Sequence, residues 1–116
     1  GSGSSFREFL YVDDLADACK FVLENWKPQK HDLKYLNVGT GKDMKIKKIA
    51  EIIGKKCGFN GDIVWDISKP DGTPKKQLDI SKITSLGWKP KTNFDEGITL
   101  TISNYRYLKN ENILRK

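Results

Sequence analysis

Residues 35–58 read YLNVGTGKDMKIKKIAEIIGKKCG and carry the clearest indication of the architecture. The apolar run at 35–38 predicts a short strand, and the glycines of 39–41 end it in a turn. Apolar residues then recur at the spacing of one helix face, at Ile46, Ile49, Ala50, Ile53 and Cys57, and Gly58 just after them is predicted to end this helix. Because residues 63–65 form the next apolar run, the segment 35–66 is predicted to be a strand-helix-strand unit with parallel strands.

The flanking segments continue this alternation of strands and helices. Residues 6–12 predict a strand that leads into a helix, and we expect Asp13 or Asp14 to cap that helix. Asn93, with Glu96 three residues later, is typical of a capping box at the start of a last helix. The alternation indicates an α/β fold.

The predicted strands are too few to form a complete parallel sheet. Such sheets are buried on both faces, so they need several neighbouring strands and covering helices. We therefore expect this chain to be part of a larger sheet. We also expect residues 35–38 and the apolar stripe of the first helix to be poorly covered when the chain stands alone.

Composition excludes several classes of protein. The chain has 116 residues and a formal charge of +6, which fits one domain, and its 37% apolar content predicts a thin core. No apolar run approaches the ~20 residues that span a bilayer, so we expect a cytoplasmic protein and no membrane partner. Cys19, Cys57 and the single His31 have no zinc-ligand spacing. We expect both thiols to be reduced and packed in the core, without a structural metal.

The turn at residues 38–42, VGTGK, is a candidate phosphate site because it lies between a predicted strand and a predicted helix. A P-loop would require a glycine where Leu36 stands and a hydroxyl residue where Asp43 stands. The dinucleotide fingerprint also fails, because Met44 occupies the place of its third glycine. We interpret these glycines as shaping a tight turn.

The stretch at residues 69–76, KPDGTPKK, is the strongest candidate for ligand binding. Its prolines stiffen the loop, Gly72 can adopt a positive φ, and two lysines follow, an arrangement that suits an anion such as a diphosphate. Arg7 offers a guanidinium fork suited to phosphate, and Arg7 and Lys76 could bind one ligand together if the fold brings them close. An ordinary surface turn with solvated lysines remains the alternative.

Lysines also give the second predicted helix a basic outer face, at Lys42, Lys45, Lys47, Lys48, Lys55 and Lys56. Nucleic-acid binding is the functional interpretation of such a face. However, the aromatic residues are scattered over separate elements and do not interleave with the lysines as a base-stacking surface requires. We favour an ordinary solvated face and expect no nucleic-acid partner.

Four motifs taken together resemble a known family. They are REFLYVDD at 7–14, NVGTG at 37–41, SKPDGTPKK at 68–76 and LGW at 86–88. The set is similar to the GDP-L-fucose synthases, which are extended short-chain dehydrogenase/reductases. The third motif is particular to these synthases, whereas the others are shared across the superfamily. The resemblance covers essentially the whole chain.

The resemblance implies that residues 1–116 are the C-terminal substrate-binding region of such an enzyme. It would include the last strand and helix that pack on the nucleotide-binding domain, and it would be incomplete without the upstream Rossmann sheet. The implied enzyme depends on NADP, and it epimerises C3 and C5 of GDP-4-keto-6-deoxy-D-mannose and then reduces C4 to give GDP-L-fucose. The family's catalytic and cofactor-binding residues lie upstream, so no catalytic residue is assigned here and the chain alone is predicted to be inactive.

The resemblance also assigns substrate-binding roles and partners. Arg7 matches an arginine that contacts the diphosphate, and Asp71 and Lys76 match polar contacts to the GDP. Lys75 is often Arg in relatives, so its role stays open. A GDP-linked sugar and a homodimer are implied. Two alternatives stay open: another sugar-nucleotide epimerase or dehydratase, and a free-standing module that binds anions or nucleic acid.

Overall fold

The computed structural model describes residues 1–30 and 34–114, so His31 lies outside the described residues. Within them the chain forms three strands and four helices: β1 (Phe6–Glu8), α1 (Val12–Asn25), β2 (Asp43–Lys45), α2 (Ile46–Cys57), β3 (Lys75–Lys76), α3 (Ser81–Ser85) and α4 (Phe94–Asn110). The predicted α/β class is confirmed. No helix among these residues is long and apolar enough to cross a membrane.

The three strands form one small sheet in the order β2-β1-β3. β2 pairs with β1 in the antiparallel sense, whereas β3 pairs with β1 in the parallel sense. The predicted strand-helix-strand unit over 35–66 is therefore wrong, because residues 35–38 and 63–65 form no strand. An apolar run becomes a strand only when a neighbour pairs with its backbone groups, and the described chain offers these two runs no such neighbour.

The first helix begins earlier than predicted, and its two acidic residues do not cap it. Tyr11 is the N-cap and makes no side-chain capping bond. The carboxylate of Asp14 is buried and instead accepts hydrogen bonds from the Thr92 N–H at 2.9 Å and the Thr92 hydroxyl at 3.2 Å. Asp14 thus ties α1 to the segment that precedes α4.

The predicted helix ends at Gly58 and Asn93 are confirmed. Gly58 follows α2 with a φ of 75°, a left-handed conformation that favours glycine. The Asn93 side chain accepts a hydrogen bond from the Glu96 N–H at 3.0 Å, which satisfies a free donor at the start of α4. The two helices are joined by an ion pair of 2.9 Å between Lys56 and Asp95.

The core is small, as the composition predicts. Ala18, Ile83 and Trp88 form its buried cluster, and the Trp88 Nε1–H donates to the Asp17 carboxylate at 3.0 Å. The radius of gyration is 17.4 Å, against about 13 Å for a compact domain of this length. The chain is thus more extended than a self-contained domain.

Apolar side chains are left uncovered in part of the region where the sequence predicts it, although Ala18 is buried and Val22 and Val38 pack on the core. Leu15 and Leu23 on α1 and Tyr35 are 45%, 87% and 64% exposed. Cys19 and Cys57 are free and also exposed, so the prediction that both thiols pack in the core is wrong. The helix faces that carry these cysteines are apolar in pattern, and the described chain covers Ala18 and Ile49 on them but leaves the two thiols exposed.

Candidate functional site

The guanidinium of Arg7 lies against the proline loop, by which we mean residues 69–74. Its Nη1 donates hydrogen bonds to the Thr73 carbonyl at 2.8 Å and to the Phe6 carbonyl at 2.6 Å. A Cβ at position 72 would lie 3.4 Å from the Arg7 Nη2. Gly72 does not use the positive φ that a glycine can adopt, since it is not among the described glycines with positive φ. Gly72 instead gives the guanidinium room to approach the loop.

Lys76 lies directly beside Arg7 in the sheet. The two residues are partners in the parallel register of β1 and β3, and such strands are about 4.8 Å apart. Their side chains nevertheless line different cavities. Arg7 lines a cavity of about 360 Å³ that includes Phe9, and Lys76 lines one of about 440 Å³ that includes Leu78. The fold brings the two positions together, while the two side chains face separate cavities.

The carboxylate of Asp71 is engaged within the chain. Its Oδ1 accepts from the Ser2 N–H at 2.7 Å, and its Oδ2 accepts from the Ser2 hydroxyl at 2.5 Å and the Ser4 hydroxyl at 3.2 Å. The Ser2 hydroxyl, then the Ser2 N–H and the Ser4 hydroxyl, hold the pKa of Asp71 below its ordinary value. A carboxylate has about four acceptor sites, so room remains for one more donor. The predicted contact with GDP stays a prediction.

Residues 1–5 are packed rather than loose, although their Gly/Ser composition is typical of a flexible linker. The carbonyls of Gly3 and Ser5 accept hydrogen bonds of 2.9 Å from the N–H groups of Lys47 and Ile46 at the start of α2. Gly3 has a φ of 74°, and the Trp65 ring lies 2.5 Å from where a Cβ would be. This segment therefore forms the base to which Asp71 anchors the proline loop.

Glu8 is the polar residue at this site that sequence reasoning missed. Its Oε1 accepts from the Gly41 N–H at 2.7 Å and from both the N–H and the hydroxyl of Thr40, while its Oε2 accepts from the Leu78 N–H at 2.7 Å. Burial raises the pKa of Glu8, but the N–H donors of Leu78, Gly41 and Thr40 outweigh it and hold the pKa below its ordinary value. These partners are far away in sequence, so no local pattern indicates them.

The contacts of Glu8 decide how the glycine turn, residues 38–42, is used. The N–H groups of Thr40 and Gly41 that a phosphate would need already bind an internal carboxylate. The interpretation of these glycines as a tight turn is thereby supported. The glycine turn consequently does not fit the pyrophosphate of NADP. The described residues contain no cluster of three His, Cys, Asp or Glu side chains that could hold a metal ion.

The basic face of α2 is partly neutralised. Lys56 pairs with Asp95 at 2.9 Å, and Lys48 approaches Glu51 at 3.7 Å. Lysines engaged in this way contribute less to the field that attracts a nucleic-acid backbone. The arrangement fits the solvated face favoured from the sequence.

Comparison with known proteins adds independent findings. The family model of the NAD dependent epimerase/dehydratase family matches residues 1–39. GDP-L-fucose synthase 1 of Arabidopsis thaliana is 46% identical over 110 residues, which cover 95% of this chain and 32% of that protein. The GDP-L-fucose synthase of Escherichia coli is 43% identical over 109 residues, covering 87% of this chain and 33% of that protein.

The fold of this chain is also similar to part of a solved structure of a GDP-sugar enzyme. A GDP-mannoheptose C4 reductase from Campylobacter jejuni, solved with NADP bound, superimposes with a TM-score of 0.81 at 36% identity, over 91% of this chain and 33% of that one. The chain thus spans about a third of the length of the relatives that it matches. In sequence and fold it corresponds to the C-terminal third of the GDP-L-fucose synthases and related GDP-sugar enzymes.

Proposed function

We propose that this chain supplies the GDP-sugar-binding part of an NADP-dependent epimerase-reductase that converts GDP-4-keto-6-deoxy-D-mannose to GDP-L-fucose. The observation that carries the proposal is the Arg7 guanidinium, which the Thr73 carbonyl holds against the proline loop. Similarity to GDP-L-fucose synthases over nearly the whole chain supports it.

Arg7 has the donors that a diphosphate requires. Arginine carries five N–H donors, and the hydrogen bonds described for Arg7 use only Nη1, so Nε and Nη2 are left to bind phosphate oxygens. Lys76, the register partner of Arg7 in the neighbouring strand, adds a second positive charge to this part of the sheet from a separate cavity. Because the loop is braced by two prolines and by the contacts of Asp71, binding would cost little conformational entropy.

Within the intact enzyme the role of this chain is positional. Arg7, Lys76 and the remaining acceptor site of Asp71 would hold the GDP, so that the sugar is presented to residues elsewhere in the protein. No catalytic role falls to the residues described, and the chain alone is predicted to reduce nothing. The NADP would bind mainly to the upstream part of the intact enzyme, and the glycine turn, which Glu8 occupies, would not take its pyrophosphate.

We propose further that residues 1–116 pack on a nucleotide-binding domain. Leu23 on α1 and Tyr35 are 87% and 64% exposed, and the chain is more extended than a compact domain. Apolar surface of this kind is normally covered by another domain.

The test is nucleotide selectivity of the full-length protein, measured by calorimetry with GDP, UDP and dTDP at moderate salt. Saturable binding of GDP, at least about 10-fold tighter than UDP or dTDP, is expected, together with turnover of the GDP-linked keto sugar with NADPH. Preference for UDP or dTDP would support another sugar-nucleotide enzyme. Binding to DNA that steepens as salt falls, with no GDP binding, would support the free-standing module.

A further inference from the structure

Glu8 and Arg7 are consecutive residues of the central strand and serve opposite faces of the sheet. Successive side chains of a strand point to opposite sides. Arg7 accordingly reaches Thr73 in the proline loop, while Glu8 binds the backbone on the other side, at Gly41 and Leu78. The two side chains therefore project from the same short stretch of β1. Hydrogen bonds that fix the position of Glu8 also fix the backbone from which Arg7 projects.

The contacts of Glu8 lie at the ends of both neighbouring strands. Gly41 is two residues before β2 begins, and Leu78 is two residues after β3 ends. One carboxylate thus joins all three strands, with Oε1 on the β2 side and Oε2 on the β3 side.

The strands themselves are too short to fix their own register. β1 has three residues, β3 has two, and their pairing consists of Phe6 with Lys75 and Arg7 with Lys76. Register is weakly specified where a ladder is short and little of it is buried, and both residues of β3 are exposed. A slip of one residue would place Arg7 beside Lys75, whose Nζ already lies 3.3 Å from Asp43.

We propose that Glu8 is a positioning residue for GDP-sugar binding: its carboxylate locks β2 and β3 onto β1 and so holds Arg7 beside Lys76. This inference rests on the proposed function and adds to it a residue that makes no contact with the ligand. The Glu8 carboxylate occupies the position in the glycine turn that a bound anion would take. Its hydrogen bonds there hold the turn to β1.

The test is a double-mutant cycle on the full-length protein, with Glu8→Gln, Arg7→Ala and the double variant, and with affinities for GDP and NADPH measured by calorimetry. Gln has the size of Glu, but its amide would set an NH₂ group against one of the N–H donors. We expect Glu8→Gln to weaken GDP binding about 10-fold and to leave NADPH binding unchanged. In the Arg7→Ala background the same change should have no further effect on GDP affinity, because Glu8 acts through Arg7.

Asp95→Asn is the matched control, since Asp95 also accepts a hydrogen bond across the fold, from Lys56, and neither residue lines the cavity of Arg7. It should leave GDP affinity unchanged. If Glu8→Gln fails to fold, Glu8→Asp keeps the charge but is too short to reach both donor groups, and the same criteria apply to it. The inference would be overturned if Glu8→Gln left GDP affinity unchanged or weakened GDP and NADPH binding equally. It would also be overturned if the losses of Glu8→Gln and Arg7→Ala multiplied in the double variant. Absence of GDP binding by the unmodified protein would overturn the proposed function instead.

Discussion

The glycine turn and the proline loop both have the composition of an anion site, yet the backbone donors of the glycine turn are taken, whereas the arginine beside the proline loop has donors to spare. In the glycine turn, the N–H groups of Thr40 and Gly41 are taken by Glu8. At the proline loop, the Arg7 guanidinium is oriented by the Thr73 carbonyl and uses one of its nitrogens to do so. Composition indicates where an anion can bind, but the internal partners decide whether the place is open.

The largest expected effect comes from removing the cations at the proline loop. Arg7→Ala or Lys76→Ala in the full-length enzyme should lower kcat/KM for the GDP-linked keto sugar by roughly 10- to 100-fold, because a charge-assisted hydrogen bond contributes about 1.5–3 kcal/mol. Arg106→Ala, which removes an exposed arginine of α4, is the control and should leave kcat/KM unchanged. Normal kinetics in both site variants would show that the loop is an ordinary surface turn.

The glycine turn should respond through stability instead. In Gly39→Ala the new Cβ would collide with the Glu8 Oε1, so about 2 kcal/mol of the free energy of unfolding should be lost. Gly58→Ala is the comparison, because its Cβ would meet nothing within 4 Å and only the φ of 75° is strained, which costs about 1 kcal/mol. Urea denaturation measures both, and equal losses would mean that the Glu8 contacts contribute little.

A smaller effect is expected at the anchor of the proline loop. Because the pKa of Asp71 is below its ordinary value in the folded chain, its contacts with Ser2 and Ser4 stabilise the fold at neutral pH. That contribution should disappear as the pH falls through the lowered pKa, below about 4. Asp71→Asn should therefore lower Tm by a few degrees at pH 7, with the difference from the unmodified protein shrinking towards pH 3. A difference that does not change with pH would contradict this assignment.

The smallest effect, and the sharpest contrast with Arg7, is expected at Lys42. It is the last residue of the glycine turn, where a P-loop would place its lysine, but the N–H groups of Thr40 and Gly41 already bind Glu8. Lys42→Ala should change GDP affinity by less than about 2-fold. Lys42 and Arg7 line the same cavity, so a loss comparable to that of Arg7→Ala would show that Lys42 also binds the diphosphate.

Local patterns predicted the parts of the fold that depend on near neighbours. The apolar stripe of α2, the Gly58 end and the Asn93 cap are interactions within a few residues, so the sequence contains them directly. The candidate site depends on distant contacts. The Asp14 bond to Thr92 joins residues 78 apart, and that of Glu8 to Leu78 joins residues 70 apart. The local pattern therefore predicts a helix cap at Asp14, whereas its carboxylate binds Thr92 in a distant segment.

Because Trp65 packs on Gly3, its fluorescence can report whether residues 1–5 stay in place. The indole ring covers a glycine of the segment that supports α2 and anchors the proline loop. If that segment lifts away, the ring is exposed to water and its emission shifts to longer wavelength. In a variant in which Trp26 and Trp88 are replaced by Phe, fluorescence would therefore report on the loop anchor alone, independently of any ligand.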